Sequence, residues 1–89
     1  MRLDLLLNKL CLTKTRSIAK NACDKNLVFL GGKPAKASAI VKADDIIIFR
    51  LYGAEHEIKI TSIPTGNVAK KDSTQYYEML RRDELPSST

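Results

Sequence analysis

The fold is decided by residues 44–61, which read DDIIIFRLYGAEHEIKIT. After an acidic turn, the run that begins at Ile46 is the strongest strand signal in the chain and predicts a strand that reaches about Tyr52. Gly53 predicts a reversal of the chain. The alternation of polar and apolar residues over 57–61 then predicts a half-buried antiparallel partner. This segment therefore predicts a β-hairpin, with His56 in its turn.

Two helices are predicted before this hairpin. The first covers residues 3–10, where four leucines recur at helical spacing and define one apolar face. The second begins after Thr15, a residue type that caps helix N-termini well, and runs to about Asp24. Asn26 is predicted to end this helix in a left-handed backbone conformation, which asparagine tolerates.

The remaining segments predict a small α+β domain. Residues 27–30 predict a short buried strand, and the glycines at 31–32 predict a turn. Residues 75–82 predict a last, short helix with Tyr76, Met79 and Leu80 on one side. We therefore expect two basic helices packed on a small antiparallel sheet, with a β-hairpin extension and a C-terminal helix.

Length and composition limit the class of protein. A chain of 89 residues predicts one domain. No apolar run approaches the roughly 20 residues of a membrane span. The start of the chain lacks the features of a signal peptide, so we expect a cytoplasmic protein. Cys11 and Cys23 form no CxxC pair and, with His56, cannot supply the four ligands of a structural zinc site, so we expect no metal or cofactor.

The charge of the chain is divided unevenly. Residues 1–43 contain nine Lys and Arg against two acidic residues, a net charge of +7, whereas residues 44–89 have a net charge of −2. A positive field on one side of a small protein attracts polyanions, of which nucleic acid is the commonest. The charge pattern therefore predicts a nucleic-acid-binding protein.

Four blocks of sequence carry a family resemblance. In chain order they are RLD at 2–4, KTRSIAK at 14–20, VFLGGKP at 28–34 and VKADDII at 41–47. Over residues 1 to about 50 they resemble the alpha-L RNA-binding motif, the S4-type domain. Two turns depart from the family pattern: Gly31 stands where the family has Asn, and Asp44 where it has Gly. Because these residue types tolerate unusual backbone angles, we expect both turns to be kept.

The length of the chain suggests which proteins with this domain it resembles most. A stand-alone domain of this size, with a β-hairpin extension and a tyrosine-rich C-terminal helix, is similar to the heat-shock protein fifteen family and the related ribosome-associated quality-control P factors. This resemblance implies binding to 23S rRNA and tRNA on the 50S ribosomal subunit, in the rescue of stalled particles that carry peptidyl-tRNA. It also divides the chain into an RNA-binding motif at 1–50, an extension of the same domain at 51–82 and a flexible tail at 83–89. We expect a monomer that binds no membrane and no small-molecule substrate.

Seven basic residues form the predicted RNA-binding site. Arg16 is the principal one, because it lies in the first turn of the second helix and its guanidinium can bind a phosphate through two hydrogen bonds or stack on an unpaired base. Asp4 is assigned a structural role, either capping the first helix or orienting Arg2. The full predicted set is Arg2, Lys9, Lys14, Arg16, Lys20, Lys33 and Lys36.

Other functions stay open on the sequence alone. The chain could be a ribosome-assembly or general RNA-binding factor, or a module whose basic face binds an acidic protein. Nucleic acid retained through purification would favour an RNA ligand over an acidic protein. The S4-type domain also occurs on RNA-modifying enzymes, but this chain is too short to hold their catalytic domain. It also lacks a set of catalytic residues, so we expect no enzymatic activity.

Overall fold

A computed structural model describes residues 1–51, 53–66 and 68–84 of the chain. Within these residues, the elements are the helices α1 (Leu3–Lys9) and α2 (Arg16–Asp24), the strands β1 (Val28–Leu30), β2 (Lys33–Pro34), β3 (Ile46–Leu51), β4 (Ala54–Ile60) and β5 (Tyr77–Glu84), and a 3₁₀ helix (Lys70–Gln75). All the strands join one antiparallel sheet in the order β2-β1-β3-β4-β5. The expected α+β fold, with two helices on an antiparallel sheet, is confirmed.

The hydrophobic core lies between the two helices and one face of the sheet. All four leucines of the predicted apolar stripe are buried, and full burial of a leucine side chain contributes roughly 1.5–3 kcal/mol. Helix α2 contributes only the small residues Ala19, Ala22 and Cys23, while Ile47 and Phe49 come from the centre of the sheet. None of the helices in the described segments is long and apolar enough to cross a membrane.

Both helices end in the same backbone motif. After α1, Cys11 has a φ of 59° and donates its N–H to the carbonyl of Asn8, and the next N–H, from Leu12, bonds to the carbonyl of Leu7. Asn26 repeats this arrangement after α2 with a φ of 59°. The paired bonds satisfy carbonyls that would otherwise lack partners at a helix end. The predicted conformation of Asn26 is confirmed, whereas that of Cys11 was not predicted.

The prediction of a C-terminal helix at residues 75–82 is wrong. Tyr77–Glu84 is strand β5, which pairs with the free edge of β4. The side chains of this segment favour a helix locally, but tertiary pairing overrides such weak preferences. Arg81 strengthens the pairing, because its guanidinium lies 2.9 Å from Glu55 and 3.5 Å from Glu57 on β4. Strand β5 also includes the first two residues of the predicted tail, and residues 85–89, like Tyr52, lie outside the described residues.

His56 lies within β4 and not in the turn predicted for it. The turn is tighter than expected, because Gly53 has a φ of 74° and β4 begins directly after it at Ala54. The imidazole stacks on Phe49, the residue opposite on β3, with ring centroids 4.7 Å apart. Burial, together with the positive charge of Arg82, lowers the pKa of His56 below its usual 6.5. The ring is therefore neutral at pH 7.

We expect this histidine to make the free energy of unfolding depend on pH. Because its pKa is lower in the folded than in the unfolded chain, its contribution is complete above pH 6.5. It is lost as the pH falls towards the lowered folded-state pKa. Urea unfolding between about pH 8 and pH 5 should show this loss in the wild type. His56→Phe, which keeps a ring against Phe49 but does not titrate, should lose less stability over that range. Equal losses in the two proteins would contradict the expectation.

Candidate nucleic-acid interface

Residues 35–41 bring together two basic side chains that are far apart in the sequence. This segment returns from the β1–β2 hairpin and runs beside the start of the chain. The amide of Leu3 donates to the carbonyl of Ala39 at 2.8 Å, and the amide of Asp4 donates to that of Ala37 at 3.2 Å. These bonds satisfy the first amides of α1, which have no partner within the helix. As a result Arg2 and Lys36, far apart in sequence, line one groove.

Two arginines share one buried carboxylate. The side chain of Asp4, in the first turn of α1, is only 3% exposed. Its Oδ1 lies 3.3 Å from Nε of Arg2, and its Oδ2 accepts a hydrogen bond from Nε of Arg16 at 3.2 Å. Each arginine side chain nevertheless remains 48% exposed. The guanidinium groups are therefore held in place and stay accessible to a ligand, as the structural role predicted for Asp4 implies.

Helix α2 contributes two further basic side chains. Thr15 caps it as predicted, since its Oγ1 accepts the N–H of Ile18 at 3.1 Å. Arg16 and Lys20, one turn apart, project from the same side of the helix. Both line a shallow hollow of about 290 Å³ together with Arg2.

A larger groove adjoins this hollow. It has a volume of about 490 Å³ and lies between the C-terminal half of α2 and residues 34–38. We call it the α2 groove. Arg2 and Lys20 line both the hollow and the groove, so the two form one continuous region. We call its four cations, Arg2, Arg16, Lys20 and Lys36, the basic surface.

Three predicted site residues lie outside the basic surface. Lys14 lines a separate hollow beside Asn8. Lys33 is exposed at the tip of the β1–β2 hairpin. Lys9 is half-buried, and its Nζ donates to the carbonyl of Gly66 at 3.1 Å. The structure therefore brings four of the seven predicted residues together.

Some lining residues were not predicted. Ser17 lies in the hollow, and Asp24 lies in the α2 groove. Asp24 had a signal in the sequence, because it is the only acidic residue between Asp4 and Asp44 in a strongly basic stretch. Ser17 had none, because no local pattern shows that its side of α2 faces Arg2 and Asp4.

The second half of the chain neutralises its own charge. Glu55 accepts a hydrogen bond from Arg50 at 2.8 Å and another from Arg81 at 2.9 Å, and this lowers the pKa of Glu55. Arg81 also pairs with Glu57 and Asp83. Because these charges pair among themselves on β3, β4 and β5, the unbalanced positive charge is left on the first half. The electric field is therefore one-sided, as the sequence predicts.

The titratable groups of the site show what kind of ligand it can bind. Burial, followed by the charges of Asp4 and Asp24, raises the pKa of Cys23 to about 11, so the thiol at the groove stays protonated at pH 7 and is a poor nucleophile. Within residues 1–51, 53–66 and 68–84, no three His, Cys, Asp or Glu side chains are placed to hold a metal ion. The arrangement offers guanidinium and ammonium groups to an anionic ligand.

Comparison with known proteins gives consistent matches. Residues 1–47 match the S4 domain family. The chain is 30% identical to the RQC P-site tRNA stabilizing factor of Halalkalibacterium halodurans over 88 residues, which cover 99% of each chain. It is 39% identical to the factor of the same name from Helicobacter pylori over 77 residues, covering 85% of this chain and 92% of the relative. The trimeric structure of heat shock protein 15 from Vibrio cholerae is similar with a TM-score of 0.83 and 30% identity, covering 89% of this chain and 80% of the other.

Proposed function

The chain belongs to the S4 domain family, with RQC P-site tRNA stabilizing factors among its relatives, and from this premise we propose that it is an RNA-binding factor of the large ribosomal subunit. The basic surface docks on structured 23S rRNA and tRNA of the 50S subunit, in rescue or quality control of stalled particles that carry peptidyl-tRNA. The protein acts in the cytoplasm as a monomer, and its activity is binding without catalysis.

One observation carries this proposal. Four cations from three separate chain segments line the hollow and the adjoining α2 groove. Two of these cations are held by the same buried carboxylate. Positively charged side chains fixed in this way match the phosphates and 2′-hydroxyl groups that a folded RNA presents. RNA is therefore recognised mainly by shape, and its affinity falls with salt because binding releases counterions.

The basic residues have different roles in this proposal. Arg2 and Arg16 are oriented by Asp4 and make the directed contacts. Lys20 and Lys36 neutralise phosphates. The outlying residues Lys14, Lys33 and Lys9 extend the contact at its margins, and the ammonium of Lys9 has further N–H groups besides the one that bonds to the carbonyl of Gly66.

We expect Lys20→Ala to weaken binding to structured RNA and to make that binding less sensitive to salt. Loss of one phosphate contact should reduce the slope of log K against log salt by about 1. Fluorescence anisotropy with labelled tRNA between about 50 and 200 mM salt measures this slope. Lys59→Ala is the matched control, because Lys59 lies on β4 and pairs with Asp44. Equal slopes for wild type and Lys20→Ala would place Lys20 outside the interface.

A further inference from the structure

The α2 groove is built differently from a surface that only holds phosphates. Ala35 and Ala37 are buried in its lining, and Cys23 is a buried, protonated thiol beside them. These residues give part of the floor an apolar character. A phosphate group gains nothing from an apolar floor, whereas the face of a nucleobase does.

Asp24 is the second unusual feature of the groove. It lies in the last turn of α2, where the helix dipole disfavours a negative charge. It has no hydrogen-bond or ion-pair partner among the described residues, and Lys20, one turn earlier, does not pair with it. Its carboxylate also repels RNA phosphates. The carboxylate is exposed to solvent, so it is available to accept a hydrogen bond from a ligand in the groove.

We propose that the α2 groove receives one unpaired RNA base that carries an amino group, and that Asp24 accepts a hydrogen bond from that amino group. The apolar floor contacts the face of the base, while Arg2, Lys20 and Lys36 hold the phosphates on either side. The groove, with a volume of about 490 Å³, leaves room for a single base. Cytosine, adenine and guanine have an exocyclic amino group that a carboxylate can accept from, and uracil has none. This inference rests on the proposed RNA-binding function and names the kind of nucleotide that the site selects.

The test uses three RNAs that share one stem: a hairpin with a cytosine loop, a hairpin with a uracil loop, and a fully paired duplex. Fluorescence anisotropy gives the affinity of the full chain for each RNA. We expect the wild type to bind the cytosine loop about fivefold more tightly than the uracil loop. Asp24→Ala should bind the cytosine loop more weakly than the wild type does, and should bind the other two RNAs equally well or more tightly.

The direction of the change separates the two explanations of Asp24. If the groove acts only through charge, Asp24→Ala removes a repulsive carboxylate and tightens binding to all three RNAs alike, which would overturn the inference. Asp83→Ala, on the opposite edge of the sheet, makes the same change in net charge and should leave the loop preference intact. Binding without any loop preference in the wild type would overturn the inference and leave the proposed function standing. If no RNA binds, both fail.

Discussion

Phe49→Ala is expected to lower the free energy of unfolding by about 3–5 kcal/mol. Phe49 is 1% exposed at the centre of β3, faces the helices within the core and stacks on His56. Removing its ring deletes buried apolar area and leaves a cavity between the helices and the sheet. Because single domains are stable by only about 5–15 kcal/mol, this variant should lose much of its stability. Urea unfolding followed by circular dichroism measures the loss.

Phe29→Ala is the matched control for this prediction. Phe29 is half-buried on β1 and pairs with Ile48, whose side chain points to the sheet face opposite that of Phe49. The helices do not cover that face, and the ring is approached by the guanidinium of Arg50 at 5.9 Å. We expect a loss of roughly 1–2 kcal/mol. Equal losses for the two variants would mean that the helices do not pack on the face that carries Phe49.

Asp4→Ala is expected to weaken RNA binding by about tenfold, equivalent to about 1.4 kcal/mol. It should also lower the free energy of unfolding by about 2 kcal/mol, because the carboxylate accepts hydrogen bonds from two guanidinium groups and from the amide of Leu5. Removing a negative charge from a basic surface would by itself tighten the binding of RNA. A loss of affinity therefore shows that the orientation of Arg2 and Arg16 matters more than the added charge. Anisotropy titration measures the first effect and urea unfolding the second.

A double-mutant cycle tests whether Asp4 acts through the arginines. If it does, Asp4→Ala should reduce affinity much less in an Arg16→Ala background than in the wild type, because one of the oriented groups is already absent. Circular dichroism of each variant shows whether it is folded at the temperature of the titration. Additive losses, or an affinity gain in Asp4→Ala, would show that Asp4 does not position Arg16.

Short-range patterns predicted the helical half of the fold well. The leucine spacing of α1, the Thr15 cap and the left-handed Asn26 depend on residues within one or two helical turns, and each is present in the structure. Strand β5 could not be found in this way. Its residues favour a helix locally, and only the free edge of β4 and the ion pairs of Arg81 make it a strand.

The candidate site was likewise predictable only in part. Composition and the family motif predicted a basic surface and the principal role of Arg16. Which basic side chains meet depends on contacts between distant parts of the chain. The bonds of residues 35–41 to the start of α1 bring Lys36 to Arg2, whereas Lys9 bonds to the carbonyl of Gly66 and lies outside the basic surface. No local pattern contains these contacts, so the sequence alone could not predict which of the basic side chains lie together.

Binding to purified 50S subunits tests the proposed function most directly. The measurement compares wild type and Arg16→Ala on subunits with and without peptidyl-tRNA, at a low and a high salt concentration. We predict that the wild type prefers subunits that carry peptidyl-tRNA, that its affinity falls with salt, and that Arg16→Ala loses most of this binding. If the wild type does not bind 50S subunits even at low salt, the ribosomal function is wrong, and the basic surface serves another RNA or an acidic protein.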